Sequence, residues 1–555
     1  MSVIKTRRSN RNAANELPKK TKIEMNRNRI LIALLFVLIL SNRVIGQNTS
    51  YNDSLTLKVD KNTFWWTGII NDGFKMPLTK PYQVNFKNTN YQNQVQPLML
   101  SSKGEVIWSE QPYSITYTPG KLSVKGDSVH FQYHKAGQSL KDAFIYASRT
   151  FFPPSGKMPD KLLFTNPQYN TWIELIYNQN QKDILVYANN ILASGLPPGV
   201  LMIDDNWQED YGKWNFHQGR FTDPKRMIDS LHAMGFKVML WVCPFVSPDC
   251  DVYRDLMEKK YFVTDHNGSP AIVRWWNGAS ALLDFTNPEA IKWFKSQLNR
   301  LTSVYGVDGF KFDAGDFEFY VDVNSFRPGA TPGEHSKAYG EIALDYPLNE
   351  YRAMWKMGGQ PLVQRLCDKA PGFGALQLLI PNMLSAGLMG YSFSCPDMIG
   401  GGEFTAFLNK DELDQESIVR SAQCHALMPM MQFSVAPWRI LDEVHFEAIK
   451  RAVKIRAKYK DYILELAIKA SITGEPIMKS MEFNYPGKGY ASIIDQFLLG
   501  DDLLVAPVLT KGAVTRTVVI PEGQWKSFDG QIIRGPKTIE VNVQLNDLPY
   551  FERIN

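Results

Sequence analysis

The sequence has 555 residues, of which 44% are hydrophobic and 21% charged, with a formal net charge of +5 at pH 7. The length favours several domains, and the ordinary apolar fraction excludes general disorder and a membrane-embedded body. Residues 1–29 hold nine lysines and arginines against Glu16 and Glu24, a balance of +7, and Arg43 adds one more positive charge, so the chain after residue 47 carries about −3. That balance excludes a general basic surface for nucleic acid.

The first 47 residues combine a basic stretch with a short apolar run. Arg27 and Arg29 precede the run ILIALLFVLIL, and Gly46 supplies a small residue for cleavage. The run is too short for a bilayer span of about 20 residues and is typical of a signal peptide. We expect residues 1–47 to direct export to the periplasm or outside the cell, with Met25 as a second candidate start. An uncleaved membrane anchor is the alternative.

Three patterns follow along the chain. Residues 48–165 contain short alternating apolar runs separated by Gly, Pro and Asn, which predict an N-terminal β-sandwich. Residues 166–465 alternate strands with helices, which predicts a central (β/α)8 TIM barrel. Residues 466–555 return to strands and predict a C-terminal β-sandwich. We expect an α/β barrel flanked by two all-β domains.

Individual strand and helix units of the barrel can be located by the residues that begin and end them. A buried strand at 200–203 ends at Asp204 and Asp205, and another runs over 236–242. Asp223 and Asn287 each precede a proline and are good helix caps. In each unit the polar residues follow the carboxyl end of a strand, which is where catalytic residues lie in such barrels.

The segment Gly309–Asp313 carries the strongest chemical signal. Alternation along a strand places Phe310 and Phe312 on one face and Lys311 and Asp313 on the other. With helices outside, the polar pair must face the barrel mouth. The ammonium favours an ionised Asp313, as a nucleophile requires. A purely structural Lys–Asp pair is the alternative.

The order of several motifs over residues 165–555 resembles glycoside hydrolase family 31. These motifs are DGFKFDAGD, FHQGRFTDPKRMIDSLHAMGFKVMLWVCPFVSPD, DFTNPEA, PDMIGG and DQFLLGDDLLVAPVL. The resemblance implies a sandwich, barrel and sandwich architecture and a retaining exo-acting α-glycosidase. Within the family, the chain looks most similar to the branch that contains the myogenesis-regulating glycosidase and bacterial α-galactosidases.

The resemblance also assigns roles to residues. It implies that Asp313 is the catalytic nucleophile and that Asp368, thirteen residues before Pro381, is the acid/base. Cys367 stands where the family pattern W-x-G-D has Gly, and a helix cap before Gly372 is the alternative for Asp368. The implied substrate-binding residues are Asp204, Asp205, Trp241, Trp276, Lys311, Arg365 and Asp397.

Substrate preference depends on one departure from the family pattern. Many α-glucosidases of the family carry an R-x-H element whose His contacts the sugar, whereas Gln432 and Ser434 occupy the matching stretch here. We expect α-galactosides as substrates, with an α-glucosidase, an α-xylosidase, a glycan lyase or transferase, or an inactive carbohydrate-binding relative as alternatives. His217 and His232 are expected to be structural.

Few other groups point to chemistry. No Cys/His cluster has the spacing of a zinc site, and we expect no cofactor and no metal. The expected partner is an oligosaccharide or glycoside substrate, with no nucleic acid and no stable membrane insertion after signal cleavage. The five cysteines allow one disulfide but do not form a disulfide framework.

Overall fold

The structure is a computed structural model that describes residues 49–409 and 412–554. The predicted signal peptide lies outside the described residues. Within them, no helix combines the length and the apolar character needed to cross a membrane. The disulfide that the cysteines allowed is not formed, because all five are free.

The N-terminal part is a seven-stranded antiparallel sheet. Its longest strand, Lys121–Lys135, pairs through its first half with Ser114–Thr118 and through its second half with Glu105–Ser109. Alternate residues of Ser114–Thr118 are buried, as the sequence pattern predicted. The remaining strands are Thr49–Lys58, Trp65–Ile69, Tyr82–Asn85 and Val95–Ser101.

Eight parallel strands form the central barrel, and neighbours in the sheet follow chain order. The last strand pairs with the first. Between the seventh and eighth strands, the Ile399 N–H donates to the Gln432 carbonyl at 2.8 Å. The barrel strands are Gln168–Asn170, Val200–Ile203, Lys237–Val242, Gly309–Phe312, Leu348–Tyr351, Gln364–Arg365, Ser394–Cys395 and Gln432–Phe433.

Helices connect the barrel strands, and two of them begin at the capping residues that the sequence predicted. The Asp223 side chain caps Pro224–Ala233 and the Asn287 side chain caps Pro288–Arg300, each with proline in the first turn. Other helices of the described chain are Leu140–Phe151, Leu162–Thr165, Trp172–Leu175, Gln181–Ala193, Asp251–Glu258, Pro332–Ile342, Phe373–Leu388, Gln415–Ala426, Pro437–Ile440, Glu443–Thr473 and Met481–Asn484. Short 3-10 helices occupy Ile70–Lys75, Phe317–Tyr320, Ala343–Asp345 and Phe404–Phe407, and a π-helical turn occupies Leu301–Tyr305.

Two excursions from the barrel build the wall of its mouth. The hairpin Gln208–Asp210 and Lys213–Phe216 follows the second strand. A three-stranded sheet follows the third strand and consists of Phe245–Val246, Ile272–Trp275 and Gly278–Leu282. Trp276 and Asn277 form the tip of its second hairpin, which brings their side chains to the carboxyl end of the barrel.

The C-terminal part is a six-stranded sheet with a small core of its own around Trp525 and Phe551. Its strands are Met478–Lys479, Phe497–Leu499, Leu503–Val505, Thr515–Ser527, Ile532–Asn542 and Tyr550–Ile554. The barrel and the two flanking all-β parts confirm the predicted fold class. The helix Glu443–Thr473 runs across residue 465, where the sequence pattern set the last domain boundary.

Candidate active site

The carboxyl ends of the barrel strands surround a cavity of about 470 Å³. Seven of the nine predicted site residues line it, and they are Asp204, Asp205, Trp241, Trp276, Lys311, Asp313 and Asp368. The other two, Arg365 and Asp397, are buried behind Asp368. The structure therefore brings the predicted residues of distant segments to one place.

Asp313 directly follows the strand Gly309–Phe312, and its side chain is held on both oxygens. The Trp241 Nε1–H donates to Oδ2 at 2.8 Å, and the Ala314 N–H donates to Oδ1 at 3.0 Å. Ala314 has a φ of 59°, a left-handed conformation that turns the chain at the strand end. Burial opposes ionisation, but Lys311, Arg352 and Arg365 outweigh it and hold the pKa of Asp313 below its ordinary value.

Lys311 contacts Asp204 rather than Asp313. Its Nζ donates to Asp204 Oδ2 at 2.7 Å in an ion pair that is almost fully buried. Burial lowers the pKa of Lys311, but the negative charge of Asp204 more than compensates, so the pKa is raised and the ammonium stays charged. Lys311 therefore favours the ionised Asp313 through space, while it also fixes Asp204 at the cavity wall.

Asp205 is a buried carboxyl group with one unused oxygen. Its Oδ2 accepts hydrogen bonds from Asn277 and from the Tyr211 hydroxyl. Its Oδ1 is buried and has no partner among the described residues. Burial, with the neighbouring charges of Asp204 and Asp313, raises the pKa of Asp205 to about 7. A sugar hydroxyl could supply the missing hydrogen bond.

Asp368 also lines the cavity, and its side chain is 41% exposed. Arg365 binds it and also reaches Glu350 and Asp397, each at 3.2 Å. Partial burial works against ionisation, but Arg365, Lys311 and Arg352 hold the pKa of Asp368 well below its usual range. Asp368 is therefore held as a carboxylate, the form that acts as a base. To act as a general acid, it would first have to take up a proton.

The backbone of Gly402 lies close to the Asp368 carboxyl group, which only a residue without a side chain allows. A Cβ at Gly402 would lie 2.8 Å from Asp368 Cγ and 2.9 Å from Oδ1. The helix that follows Asp368 begins at Phe373 with Gly372 as its cap and no side-chain hydrogen bond. Asp368 is therefore not a helix cap, and its carboxylate is free to face the cavity.

Two models of one family match the chain. The model described as "Glycosyl hydrolases family 31 TIM-barrel domain" matches residues 158–365, and the "Glycosyl hydrolase family 31 C-terminal domain" matches residues 474–555. Together they cover more than half of the chain, in the order that the motifs predicted. The chain belongs to glycoside hydrolase family 31.

Similar proteins of this family carry different names. The myogenesis-regulating glycosidase of Mus musculus is 36% identical over 428 residues, which is 75% of this chain and 60% of the relative. The isomaltosyltransferase of Sporosarcina globispora is 29% identical, over 60% of this chain and 33% of that protein. A Flavobacterium johnsoniae GH31 dextranase, solved with glucose, matches with a TM-score of 0.80 and 21% identity, over 90% of this chain and 66% of that chain. The chain thus spans at most 60% of the length of these two curated relatives.

Among the family 31 assignments, Arg365 and Asp397 do not line the cavity. Arg365 is 1% exposed and forms ion pairs with Glu350, Asp368 and Asp397. Asp397 has a φ of 80° and accepts the Lys369 N–H at 3.0 Å, and burial raises its pKa to about 7. Their position fits a role in orienting Asp368, and direct contact with sugar stays a prediction.

Arg352 lines the cavity, and sequence reasoning missed it. It follows the strand Leu348–Tyr351, as Asp313 follows its own strand. Its Nε lies 3.4 Å from Asp316 Oδ2, and its guanidinium lies 4.9 Å from the centre of the Trp276 ring. The same strand-end rule that selected Asp313 could have selected Arg352.

The N-terminal sheet also reaches the site. Gln92 lines the cavity, and both Tyr91 and Gln92 have left-handed backbones. Asn93 and Gln94 donate to carbonyls at the ends of two barrel strands. The Cys367 thiol, which replaces the family's Gly, lies 3.1 Å from the Asn71 oxygen of the same part. No local sequence signal marks Gln92, because its place depends on packing between domains.

The stretch with Gln432 and Ser434 lies outside the cavity. Gln432 Nε2 donates to Glu350 at 2.7 Å inside the barrel, and Ser434 Oγ accepts the Ile173 N–H at 2.9 Å. No histidine lines the cavity in the described part of the chain. His217 and His232 lie elsewhere, and His232 bonds Asp308 at 2.8 Å. Among the described residues, no group of three or more His, Cys, Asp or Glu is placed to hold a metal ion.

Proposed function

We propose that the protein is a retaining exo-acting α-glycosidase that hydrolyses terminal α-linked sugars of an oligosaccharide or glycoside. The observation that carries this proposal is the pair of carboxyl groups, Asp313 and Asp368, which face one cavity from different strand ends. Retaining and inverting glycosidases both need two such groups, and the resemblance to family 31 favours the retaining course. The family supports the same reaction.

The first step uses Asp313 as the nucleophile. Its ionised Oδ attacks the anomeric carbon, the bond from that carbon to the leaving oxygen breaks, and the proton on Asp368 passes to that oxygen. Trp241 and the Ala314 N–H keep the attacking carboxylate in place. Asp368 must acquire its proton before this step, because Arg365, Lys311 and Arg352 hold its pKa well below the usual range.

The second step releases the sugar. Asp368, now a carboxylate again, takes a proton from water while the water oxygen attacks the anomeric carbon and the bond to Asp313 breaks. The contact with Arg365 stabilises this base form. The buried Asp204, Asp205 and Lys311 form one wall of the cavity, which supports recognition of a terminal sugar.

We propose α-galactose as the sugar that is released. Two observations support this choice over α-glucose and α-xylose, which are the alternatives. The cavity wall lacks the histidine that many α-glucosidases of the family use, and Asp205 offers a buried oxygen with no partner among the described residues. A buried acceptor that meets no hydroxyl is costly, so such a group discriminates between orientations of one hydroxyl.

The test compares kcat/KM on matched aryl α-galactoside, α-glucoside and α-xyloside. A preference for the galactoside of at least tenfold, about 1.4 kcal/mol, is expected. A tenfold preference for either of the others would contradict the galactose proposal and leave the retaining hydrolase intact. Absence of turnover on all three, with retained sugar binding, would favour the inactive relative.

We also propose export, with residues before about 47 removed. The short apolar run after Arg27 and Arg29 supports this proposal. Amino-terminal sequencing of exported protein should begin near residue 47. A mature protein that begins near Met1 or Met25 would contradict cleavage.

A further inference from the structure

Glu350 is a fully buried carboxyl group inside the barrel that takes no part in the two steps of the proposed reaction. It lies in the strand Leu348–Tyr351, beside Lys311 of the neighbouring strand. Its Oε2 accepts the Gln432 amide at 2.7 Å. Its Oε1 lies 3.2 Å from Arg365 Nε, and neither of these two atoms has a hydrogen-bond partner among the described residues. A buried carboxyl group is costly unless a positive charge or a donor meets it, so Arg365 and Gln432 are the side chains that stabilise Glu350.

The Arg365 guanidinium connects Glu350 to the proposed acid/base. Its Nη1 donates to Asp368 and, at 3.2 Å, to Asp397, while its Nε faces Glu350. One positive charge therefore lies between three carboxyl groups, of which Asp368 alone lines the cavity. An ionised Glu350 offsets part of the positive charge that acts on Asp368.

Other ionisable groups surround the same carboxyl groups. Those that face Asp368, Glu350 or Arg365 are Asp204, Lys311, Asp313, Arg352, Cys395, Asp397 and Glu403. Burial raises the pKa of Glu350, although Arg365 and Lys311 favour its ionised form. The charge of Glu350 therefore develops toward higher pH, where Asp368 loses its proton most readily.

We propose that Glu350 is a positioning residue of the acid/base, which acts through Arg365 to let Asp368 take up the proton that the first step needs. The proposal rests on the proposed function, which makes Asp368 the proton donor. Without the opposing charge of Glu350, Arg365 holds Asp368 more firmly as a carboxylate. Gln432 supports this role, because its amide fixes Glu350 without adding a positive charge, as the Arg of the R-x-H element would at this position.

The experiment measures kcat/KM against pH on an α-glycoside of the preferred sugar with a poor leaving group. The alkaline limb of this profile reports the essential acid of the free enzyme. Glu350→Gln keeps the size of the side chain and removes its charge, so the limb should move to lower pH by about one unit. Adding Arg365→Gln removes both charges, so the limb should move above its wild-type position. A merely structural role would lower activity without moving the limb in opposite directions.

Two further variants separate charge from packing. Glu350→Asp keeps the charge but moves it away from Arg365, so its alkaline limb should lie between those of the wild type and Glu350→Gln. Glu482→Gln removes another buried carboxyl group, which accepts the Gly487 N–H at 2.9 Å in the C-terminal part, and should leave the profile unchanged.

An alkaline limb of Glu350→Gln that stays in place or moves to higher pH would overturn the proposal. If Glu350→Gln does not fold, Glu350→Asp decides, because its limb must then lie below that of the wild type.

The proposed function is tested separately by turnover of the wild-type protein. If the wild type hydrolyses no α-glycoside, the glycosidase proposal fails, and chemical labelling decides on Glu350. A water-soluble carbodiimide with glycine ethyl ester modifies protonated carboxyl groups, and mass spectrometry follows the peptide that contains Asp368 as a function of pH. The pH of half-maximal labelling should be lower in Glu350→Gln than in the wild type. Equal labelling of the two proteins at every pH would overturn the role of Glu350 even in an active enzyme.

Discussion

The two carboxyl groups proposed to be catalytic, Asp313 and Asp368, are held by different kinds of structure. Asp313 follows a four-residue strand that pairs on both sides in continuous register. Asp368 follows the two-residue strand Gln364–Arg365, whose neighbour Ser394–Cys395 is equally short. Backbone pairing positions Asp313, the proposed nucleophile, whereas side chains and loops position Asp368, the proposed acid/base.

Side-chain contacts hold the loops around Asp368 in place. The Arg365 guanidinium forms ion pairs with Glu350, Asp368 and Asp397. Asp397 adopts a left-handed backbone, and Gly402 leaves room for the Asp368 carboxylate. We therefore expect the nucleophile to tolerate distant changes, and the acid/base to respond to small substitutions in the loops around it.

The largest effect is expected at Asp313. Asp313→Asn removes the charge that attacks the sugar, and turnover should fall by about 10⁴-fold or more. The amide can still accept the Trp241 bond, so the melting temperature should change little. Asp308→Asn is the matched control at the other end of the same strand, where Asp308 bonds Val238 and His232. That variant should keep its kcat, and near-normal turnover of Asp313→Asn would contradict the mechanism.

Asp368→Ala should have a large effect that depends on the leaving group. Substrates with poor leaving groups should lose about 10²- to 10⁴-fold in kcat/KM, because they need protonation, whereas activated aryl glycosides should lose far less. Azide should restore turnover of the activated substrates by replacing the base-assisted water. Equal losses on both substrate types without azide rescue would contradict the assignment of Asp368 as the acid. Asp205 and Asp397, whose pKa values are about 7, would then be the next candidates.

Gly402→Ala probes the side-chain scaffold directly. The new methyl group would lie less than 3 Å from the Asp368 carboxyl group, which would have to move. Such a misplacement of the carboxyl group should reduce kcat on substrates with poor leaving groups about 10- to 100-fold. Gly374→Ala is the control, because its Cβ would have no atom within 4 Å. Both variants should remain folded, since neither glycine has a positive φ. Equal activity of the two variants would contradict the close packing of Asp368.

A smaller effect is expected on stability at Asp205. Its pKa is raised to about 7, so the native state keeps a proton that the unfolded chain has already lost. The stabilising contribution is complete below about pH 4 and is lost as pH rises through 7, a difference of about 3–4 kcal/mol. Asp205→Asn does not titrate, so its melting temperature should rise above that of the wild type by a few degrees at pH 8 and match it at pH 4.

The control for this pH dependence is Asp229→Asn, which removes an exposed carboxylate paired with Lys225. Its melting temperature should follow that of the wild type across the same pH range. A difference between Asp205→Asn and the wild type that does not grow with pH would show that the pKa of Asp205 is not raised in the native protein.

The sequence predicted the strand half of the site well. Strand alternation and strand-end position selected Asp204 and Asp313, and both line the cavity. The same rules do not select Gln92 or Tyr177, which also line the cavity. Packing between domains brings Gln92 to the site, and a strained turn at the preceding residue brings Tyr177 there. Arg365 was selected by pattern, and its strand of two residues gave no periodicity from which its burial could be inferred.

Covalent trapping tests the central claim most directly. An activated fluorinated α-glycosyl fluoride of the preferred sugar slows the second step more than the first, so the glycosyl-enzyme should accumulate. Proteolysis and mass spectrometry should then find one sugar on the peptide that contains Asp313, and no labelling in Asp313→Asn. A label on Asp205, Asp368 or any other residue, or turnover with no covalent intermediate, would contradict the assignment of Asp313 as the nucleophile.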